Sequence, residues 1–170
     1  MRKDELRKQM RQQKRQFTPQ QLEELSLPIV ARLKERLKDA RTILAYYSLP
    51  DEVNTHSLVD ELLAEGKTVL LPKVVDADTM VICRYTGPHD LQEGVLHLME
   101  PIGEPFTAYE NIDVVIVPGM AFDAQGRRLG RGRGYYDRFF TLHSSLFTTF
   151  GVCFDFQKVP EVPTDACDIP

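Results

Sequence analysis

Two hydrophobic periods alternate along the chain and divide it into elements. Across residues 2–16 the apolar positions are sparse, Leu6 and Met10 among charged side chains, which predicts a largely exposed helix. Lys3, Arg7 and Arg11 recur at the same four-residue spacing on one face of it. Thr18-Pro19 has the form of an N-cap followed by proline at the first helical position. Leu22, Leu25, Ile29, Leu33 and Leu37 then mark the core stripe of a second helix running to about Lys38. Pro28 lies inside that stripe and predicts a kink. From Thr42 the period shortens. Ile43 to Tyr47 reads as a buried strand, Ser48 to Asn54 as a polar loop, and Thr55 to Glu65 as a helix ending at Gly66. Leu58, Val59, Leu62 and Leu63 form the apolar side of that helix, and Thr68 to Leu71 is the next strand. This strand–helix–strand order predicts a right-handed parallel crossover.

Met80 to Tyr85 reads as a further strand, followed by an excursion over residues 86–110 with room for short strands. Asp113 to Val117 is apolar on both faces, as a central parallel strand must be. Pro118-Gly119 ends it, residues 118–134 form a glycine-rich loop, and a helix from Tyr135 to Leu142 leads to a strand at Thr148 to Phe154. No repeat, linker or low-complexity segment interrupts the order. The expected fold class is α/β, a single three-layer domain over residues 1–170 with a central, largely parallel (mixed) sheet flanked by helices.

Composition narrows the functional classes. The chain has 170 residues, 42% hydrophobic and 27% charged, an ordinary balance for a globular protein. Three widely spaced cysteines without a C-x-x-C pair argue against a disulfide framework or a thiolate zinc site. Four scattered histidines give no zinc-hydrolase spacing. The charged N-terminus has no signal-peptide pattern, and Val114 to Val117 is far too short to cross a bilayer, so a soluble cytoplasmic protein is expected. Net charge is −4, yet residues 1–16 hold seven basic and two acidic side chains. Concentrated basic segments on an acidic chain point to local anion sites more than to broad nucleic-acid binding.

The strongest chemical signal is Gly126 to Asp137, which packs four glycines, four arginines and two tyrosines ahead of a carboxylate. Glycines let the backbone approach a ligand closely, arginine forks match phosphate oxygens, and Asp137 offers a hard oxygen for Mg²⁺. A loop after a central strand that opens a helix is also where α/β sheets bind phosphate. Neither the Walker A spacing nor the G-x-G-x-x-G spacing is present. An arginine–glycine loop touching nucleic acid is the alternative reading of the run. Lys3 and Arg7 are phosphate ligands or a solvated face. Glu52, just after a buried strand, is an acid fixing a polar substrate group or a helix N-terminal charge. Tyr47 is a core aromatic or a stacking wall, and Asp168 has nothing intrinsic to single it out.

Together these residues resemble the 5-formyltetrahydrofolate cyclo-ligase family. Its hallmark block is matched by Pro118-Gly119-Met120-Ala121-Phe122-Asp123, Gly126, Arg128-Leu129-Gly130, Gly132 and Gly134-Tyr135-Tyr136-Asp137. Lys3 and Arg7, Tyr47, Asp51-Glu52-Val53, Glu100-Pro101, Phe156-Gln157, Pro163 and Asp168 extend the match over essentially the whole chain. Arg133 stands where the family often has lysine or glycine, and the tail after Asp168 is short for the family.

The resemblance implies a sugar-isomerase and CoA-transferase-like fold and ATP-dependent closure of 5-formyltetrahydrofolate to 5,10-methenyltetrahydrofolate. The route runs through a phosphorylated formyl (iminium phosphate) intermediate and releases ADP and phosphate. It implies that Lys3, Arg7, Arg128, Leu129, Gly130, Arg131, Gly132, Arg133, Gly134, Tyr135 and Tyr136 hold ATP, and that Asp137 and Asp168 hold Mg²⁺. Tyr47, Glu52, Arg131, Gly132, Arg133, Gly134 and Tyr135 would contact the folate, polyglutamylated or not, with Arg131, Arg133 and Glu52 catalytic. The expected enzyme is a monomer without nucleic-acid or membrane partners. A different ligase-like or kinase-like enzyme that kept the phosphate loop is the remaining rival.

Overall fold

A computed structural model describes residues 2–75, 79–93, 99–131, 134–143 and 148–163. Helices α1 (Lys3–Lys14) and α2 (Pro19–Arg36) lead into strand β1 (Thr42–Leu44), and α3 (His56–Ala64) connects it to β2 (Thr68–Val74). Strand β3 (Met80–Tyr85) returns beside β2, and a short antiparallel pair, β4 (Leu91–Glu93) and β5 (Met99–Pro101), lies in the excursion. The chain continues through β6 (Val114–Pro118), a hairpin of β7 (Ala121–Phe122) and β8 (Arg128–Leu129), α4 (Tyr135–His143) and β9 (Thr148–Val152). The central sheet has the order β3-β2-β1-β6-β9, parallel except for β3.

Successive side chains of a strand point to opposite faces, and here both faces are apolar. Ile43, Val69, Leu71, Val114 and Ile116 pack with Leu33, Leu37, Leu58, Val59 and Leu62 of the α2–α3 layer. Leu44, Leu70, Val115 and Val117 pack on the other side with Phe106, Ile112 and the α4 residues Phe139 and Phe140. Helices therefore cover both faces of the sheet, in the expected three layers. A third cluster joins Leu6 and Met10 of α1 to Met120, Ala121 and Leu129 of the hairpin and to Val162.

Local chemistry sets the element ends. Thr18 and Gln21 form a reciprocal capping box, with Gln21 N–H donating to Thr18 Oγ1 (3.1 Å) and Thr18 N–H to Gln21 Oε1 (2.8 Å). The Lys67 ammonium donates to the carbonyls of Leu37, Lys38 and Ala40 just past α2. Asp113 accepts from the N–H groups of Arg41 and Thr42 and so ties the starts of β1 and β6 together. These bonds hold its carboxyl below the usual range.

The departures from the sequence expectations are local. Pairing in β1 stops at Leu44, although Ala45 and Tyr46 remain buried, because the chain leaves the ladder there without leaving the core. Likewise β9 ends at Val152, not Phe154. Leu25, placed in the core stripe of α2, is 41% exposed, since the face buried by Leu22, Ser26 and Leu33 has rotated away from it. Residues 118–134, read as a loop, contain the β7–β8 hairpin.

Candidate active site

Strand order reverses between β1 and β6: the chain runs from β1 outward to β2 and β3, then from β6 outward to β9 on the other side. Parallel neighbours release their following loops at the same edge, and the crevice at such a reversal is where open α/β sheets bind ligands. The loop after β1 (residues 45–55) and the segment after β6 (residues 119–131) leave the sheet at that crevice, and α1 packs over the second of them.

The loop after β1 is held rigid by its own polar groups. Thr55 Oγ1 donates to the Tyr46 carbonyl (2.6 Å), Ser48 and Thr55 exchange backbone-to-hydroxyl bonds, and Asn54 N–H donates to Ser26 Oγ (3.0 Å). Tyr47 stacks on His56 with ring centroids 3.8 Å apart and planes 8° from parallel, and His56 Nε2 meets the Ser48 carbonyl at 2.8 Å. The aromatic wall at Tyr47 is thus fixed before any ligand arrives. Glu52 accepts from Leu49 N–H (2.8 Å) and is largely buried. Burial pushes its carboxyl up, and the Leu49 N–H and the Arg131 charge only partly offset this.

Four charges meet at the mouth of this loop. Arg131 Nη2 donates to Asp51 Oδ1 at 2.8 Å and lies 3.6 Å from Glu52 Oε2. Lys14, at the end of α1 and only 5% exposed, places Nζ 3.6 Å from Asp51 Oδ2. Burial lowers the Lys14 pKa, with Asp51 working against the shift. Burial would raise Asp51, but Arg131 and Lys14 outweigh it and leave it lowered.

The glycine-rich segment is braced on its other side. Arg7 Nε donates to the Gly130 carbonyl (2.9 Å), which pins α1 to the segment. Arg128 donates to the Pro118 carbonyl (3.1 Å), lies 3.6 Å from Asp137 in the first turn of α4, and sits over the Tyr136 ring. Burial raises the Tyr136 hydroxyl pKa, the Glu52 charge adds to the rise, and Arg128 opposes it. Gly134 opens α4 with φ +72°, a conformation costly for any residue with a Cβ.

Beside Arg128 and Asp137 opens a cavity of about 910 Å³, walled by Val117, Phe122, Phe140, Val159 and Pro160. Thr149, Cys153 and Lys158 add polar atoms, and burial pushes the Cys153 thiol up to about 11, so it faces the cavity protonated. Its size is that of a small-molecule pocket.

A family model described as the 5-formyltetrahydrofolate cyclo-ligase family matches residues 1–170. The chain belongs to that family. The 5-formyltetrahydrofolate cyclo-ligase of Escherichia coli strain K12 is 30% identical over 168 residues, covering 95% of this chain and 92% of the relative. The Mus musculus cyclo-ligase is 25% identical, covering 96% and 88%. Among solved structures, the 5,10-methenyltetrahydrofolate synthetase of Aquifex aeolicus superposes with a TM-score of 0.83 at 34% identity, covering all of this chain and 87% of that one. The synthetase from Mycoplasma pneumoniae shares the fold, with a TM-score of 0.80 at 24% identity.

Within this cyclo-ligase fold the residues singled out by sequence separate into two groups. Arg128, Tyr136 and Asp137 gather by the cavity, with Arg7 and Gly130 beside them. Tyr47, Glu52 and Arg131 gather on the β1-loop side. Lys3 lies half-buried in the first turn of α1, Leu129 is buried beneath it, and Tyr135 is covered by the Arg138 guanidinium. Gly132, Arg133 and Asp168 lie outside the described residues. Among the described residues, no cluster of three or more His, Cys, Asp or Glu side chains forms a metal cage, and no helix is long and apolar enough to cross a membrane. Lys14 and Asp51 are the additions the structure makes. Lys14 sits seven residues after Arg7, so a heptad stripe through Lys3, Arg7, Met10 and Lys14 carried the signal, whereas Arg11 is exposed.

Proposed function

We propose that the protein catalyses the ATP- and Mg²⁺-dependent closure of 5-formyltetrahydrofolate to 5,10-methenyltetrahydrofolate, releasing ADP and phosphate. The observation that carries this reading is the family match over the entire chain. It is supported by two unlike groups of residues beside one arginine–glycine segment, Arg7, Arg128 and Asp137 in one and Tyr47 and Glu52 in the other. The nucleotide takes the half with Arg7, Arg128 and Asp137, its base entering the adjoining cavity. The folate takes the half with Tyr47 and Glu52, its ring against the fixed aromatic wall.

In the reaction the formyl oxygen attacks the γ-phosphorus and ADP departs. The N10 amine then adds to the activated carbon and loses its proton, and C–O cleavage expels phosphate. The protein positions these groups and neutralises charge. Arg131 reaches from the phosphate segment to the folate half and, with Arg133, stabilises the transferred phosphoryl group. Glu52 orients the folate's polar groups. One or two hard carboxylates suit Mg²⁺, which takes most of its ligands from phosphate oxygens and water, so Asp137, with Asp168, would hold it. When bound, the ion offsets phosphate charge.

The arrangement speaks against the nucleic-acid reading. Arg127 pairs with Asp123, Arg128 with Asp137 and Arg131 with Asp51, so these three arginines of the run face carboxylates. Purified protein with ATP, Mg²⁺ and 5-formyltetrahydrofolate should develop the near-ultraviolet absorbance of the methenyl product. Folded protein that produces none, or that hydrolyses ATP without regard to folate, would overturn the proposal.

A further inference from the structure

Arg131 is anchored through one nitrogen. Its Nη2 bonds to Asp51 and approaches Glu52, while Nε and Nη1 have no partner among the described residues. An arginine held this way keeps most of its donor fork for an incoming anion. Asp51 is itself held on its second oxygen by Lys14, which is more than nine-tenths buried and has no other ion-pair partner among the described residues. A buried ammonium with a single carboxylate for company is costly unless that carboxylate stays in place. The order along the chain of charges is therefore Lys14, Asp51, Arg131, Glu52: two cations, two anions, alternating. Each element contributes differently, α1 through Lys14, the β1 loop through Asp51 and Glu52, and the phosphate segment through Arg131.

We propose that Asp51, steadied by Lys14, is the positioning residue that aims Arg131 at the phosphoryl group, and that Lys14 keeps the two neighbouring carboxylates from neutralising that arginine. Without Lys14, Asp51 and Glu52 present two negative charges to one guanidinium, which then closes on the carboxylates and withdraws from the anion. Without Asp51, Arg131 loses its only short hydrogen bond among the described residues and turns freely in solvent. The roles divide cleanly: Arg131 touches substrate, and Asp51 and Lys14 act through it. The inference rests on the proposed function only for the identity of the anion.

Asp51→Asn should lower kcat by up to about 100-fold, the scale of a misaimed catalytic group, and leave KM for 5-formyltetrahydrofolate unchanged. Lys14→Met should move kcat the same way, and Lys14→Arg should restore most of it. In an Arg131→Ala background, Asp51→Asn should have no further effect, because the group it aims is gone. A folded Asp51→Asn enzyme with wild-type kcat, or losses that multiply fully in the double variant, would overturn the proposal. Lys14→Met and Lys14→Arg carry the test if Asp51→Asn does not fold. A readout independent of turnover is the Arg131 guanidinium NMR signal, assigned by its loss in Arg131→Ala. It should show hindered rotation in the wild type and free rotation in Asp51→Asn, and equal rotation in both would sink the idea even if the wild type proved to act on another substrate.

Discussion

Asp123 accepts four hydrogen bonds, from the N–H groups of Gln125, Arg127 and Val162 and from the Arg127 guanidinium. Burial would raise its carboxyl, but these donors reverse the sign and bring it to about 2. A carboxylate with a depressed folded pKa stabilises fully above its unfolded value, and the contribution fades as pH falls toward the folded one. Asp123→Asn should therefore cost about 2 kcal/mol at pH 7, with a gap to wild type that narrows between pH 4 and pH 2 in urea titrations. Glu52 has the opposite sign. Its raised pKa means the folded state favours the neutral acid, so its charge opposes folding once the pH exceeds the unfolded value. Glu52→Gln should raise Tm at pH 7, lose the advantage near pH 4, and lose cyclisation at every pH. Both residues were visible in the sequence, Asp123 through the family block and Glu52 through its place after a strand. Lys14 was not, because an eye following Lys3 and Arg7 at steps of four continues to Arg11, while the buried stripe continues at seven.

At the scale of elements, hydrophobic period located the strands but not where pairing ends. Ile43 to Tyr46 are all buried, yet only part of that run joins the ladder, because burial and pairing are separate demands. The β7–β8 hairpin was illegible for a different reason. Strands of two residues have no period, and what closes this one is the Asp123 turn and the packing of Leu129 under α1. Phe122 at its tip lies over β9, so a Cβ at Gly151 would sit 2.5 Å from the Phe122 ring and one at Gly119 2.8 Å from it. An aromatic ring wedged between two strands cannot yield to both. Gly151→Ala should cost about 1–3 kcal/mol by overpacking and change the shape of the cavity that Phe122 and Gly151 both line. A thermal melt and the KM for ATP report the two effects separately: Tm falls and KM rises. A variant with wild-type values for both would mean that the ring moves aside freely.

At the scale of the whole molecule the site depends on an element outside the sheet. Helix α1 brings Arg7 to the Gly130 carbonyl and Lys14 to Asp51, but buries only Leu6, Met10 and Lys14. Its attachment is the small cluster with Met120, Ala121, Leu129 and Val162, with the Arg7 bond to Gly130 and the Lys14–Asp51 ion pair among its polar contacts. The main cores on the two faces of the sheet do not include it. An element fixed by so few apolar contacts opens at a lower free energy than the domain unfolds. Met10 is 1% exposed at the centre of that attachment. Truncating a buried methionine costs about 2–5 kcal/mol, and here the loss falls on the docking of α1 rather than on the sheet. Met10→Ala should therefore speed amide hydrogen exchange throughout α1 while exchange in β1, β2 and β6 stays slow. Both half-sites then lose basic residues together, so the KM for ATP and the KM for the folate rise in parallel, and saturating ATP restores protection to α1 by mass action. Exchange that accelerates equally in the sheet would show that α1 is part of the global cooperative unit, and the dependence of the site on a separately docked helix would then be wrong.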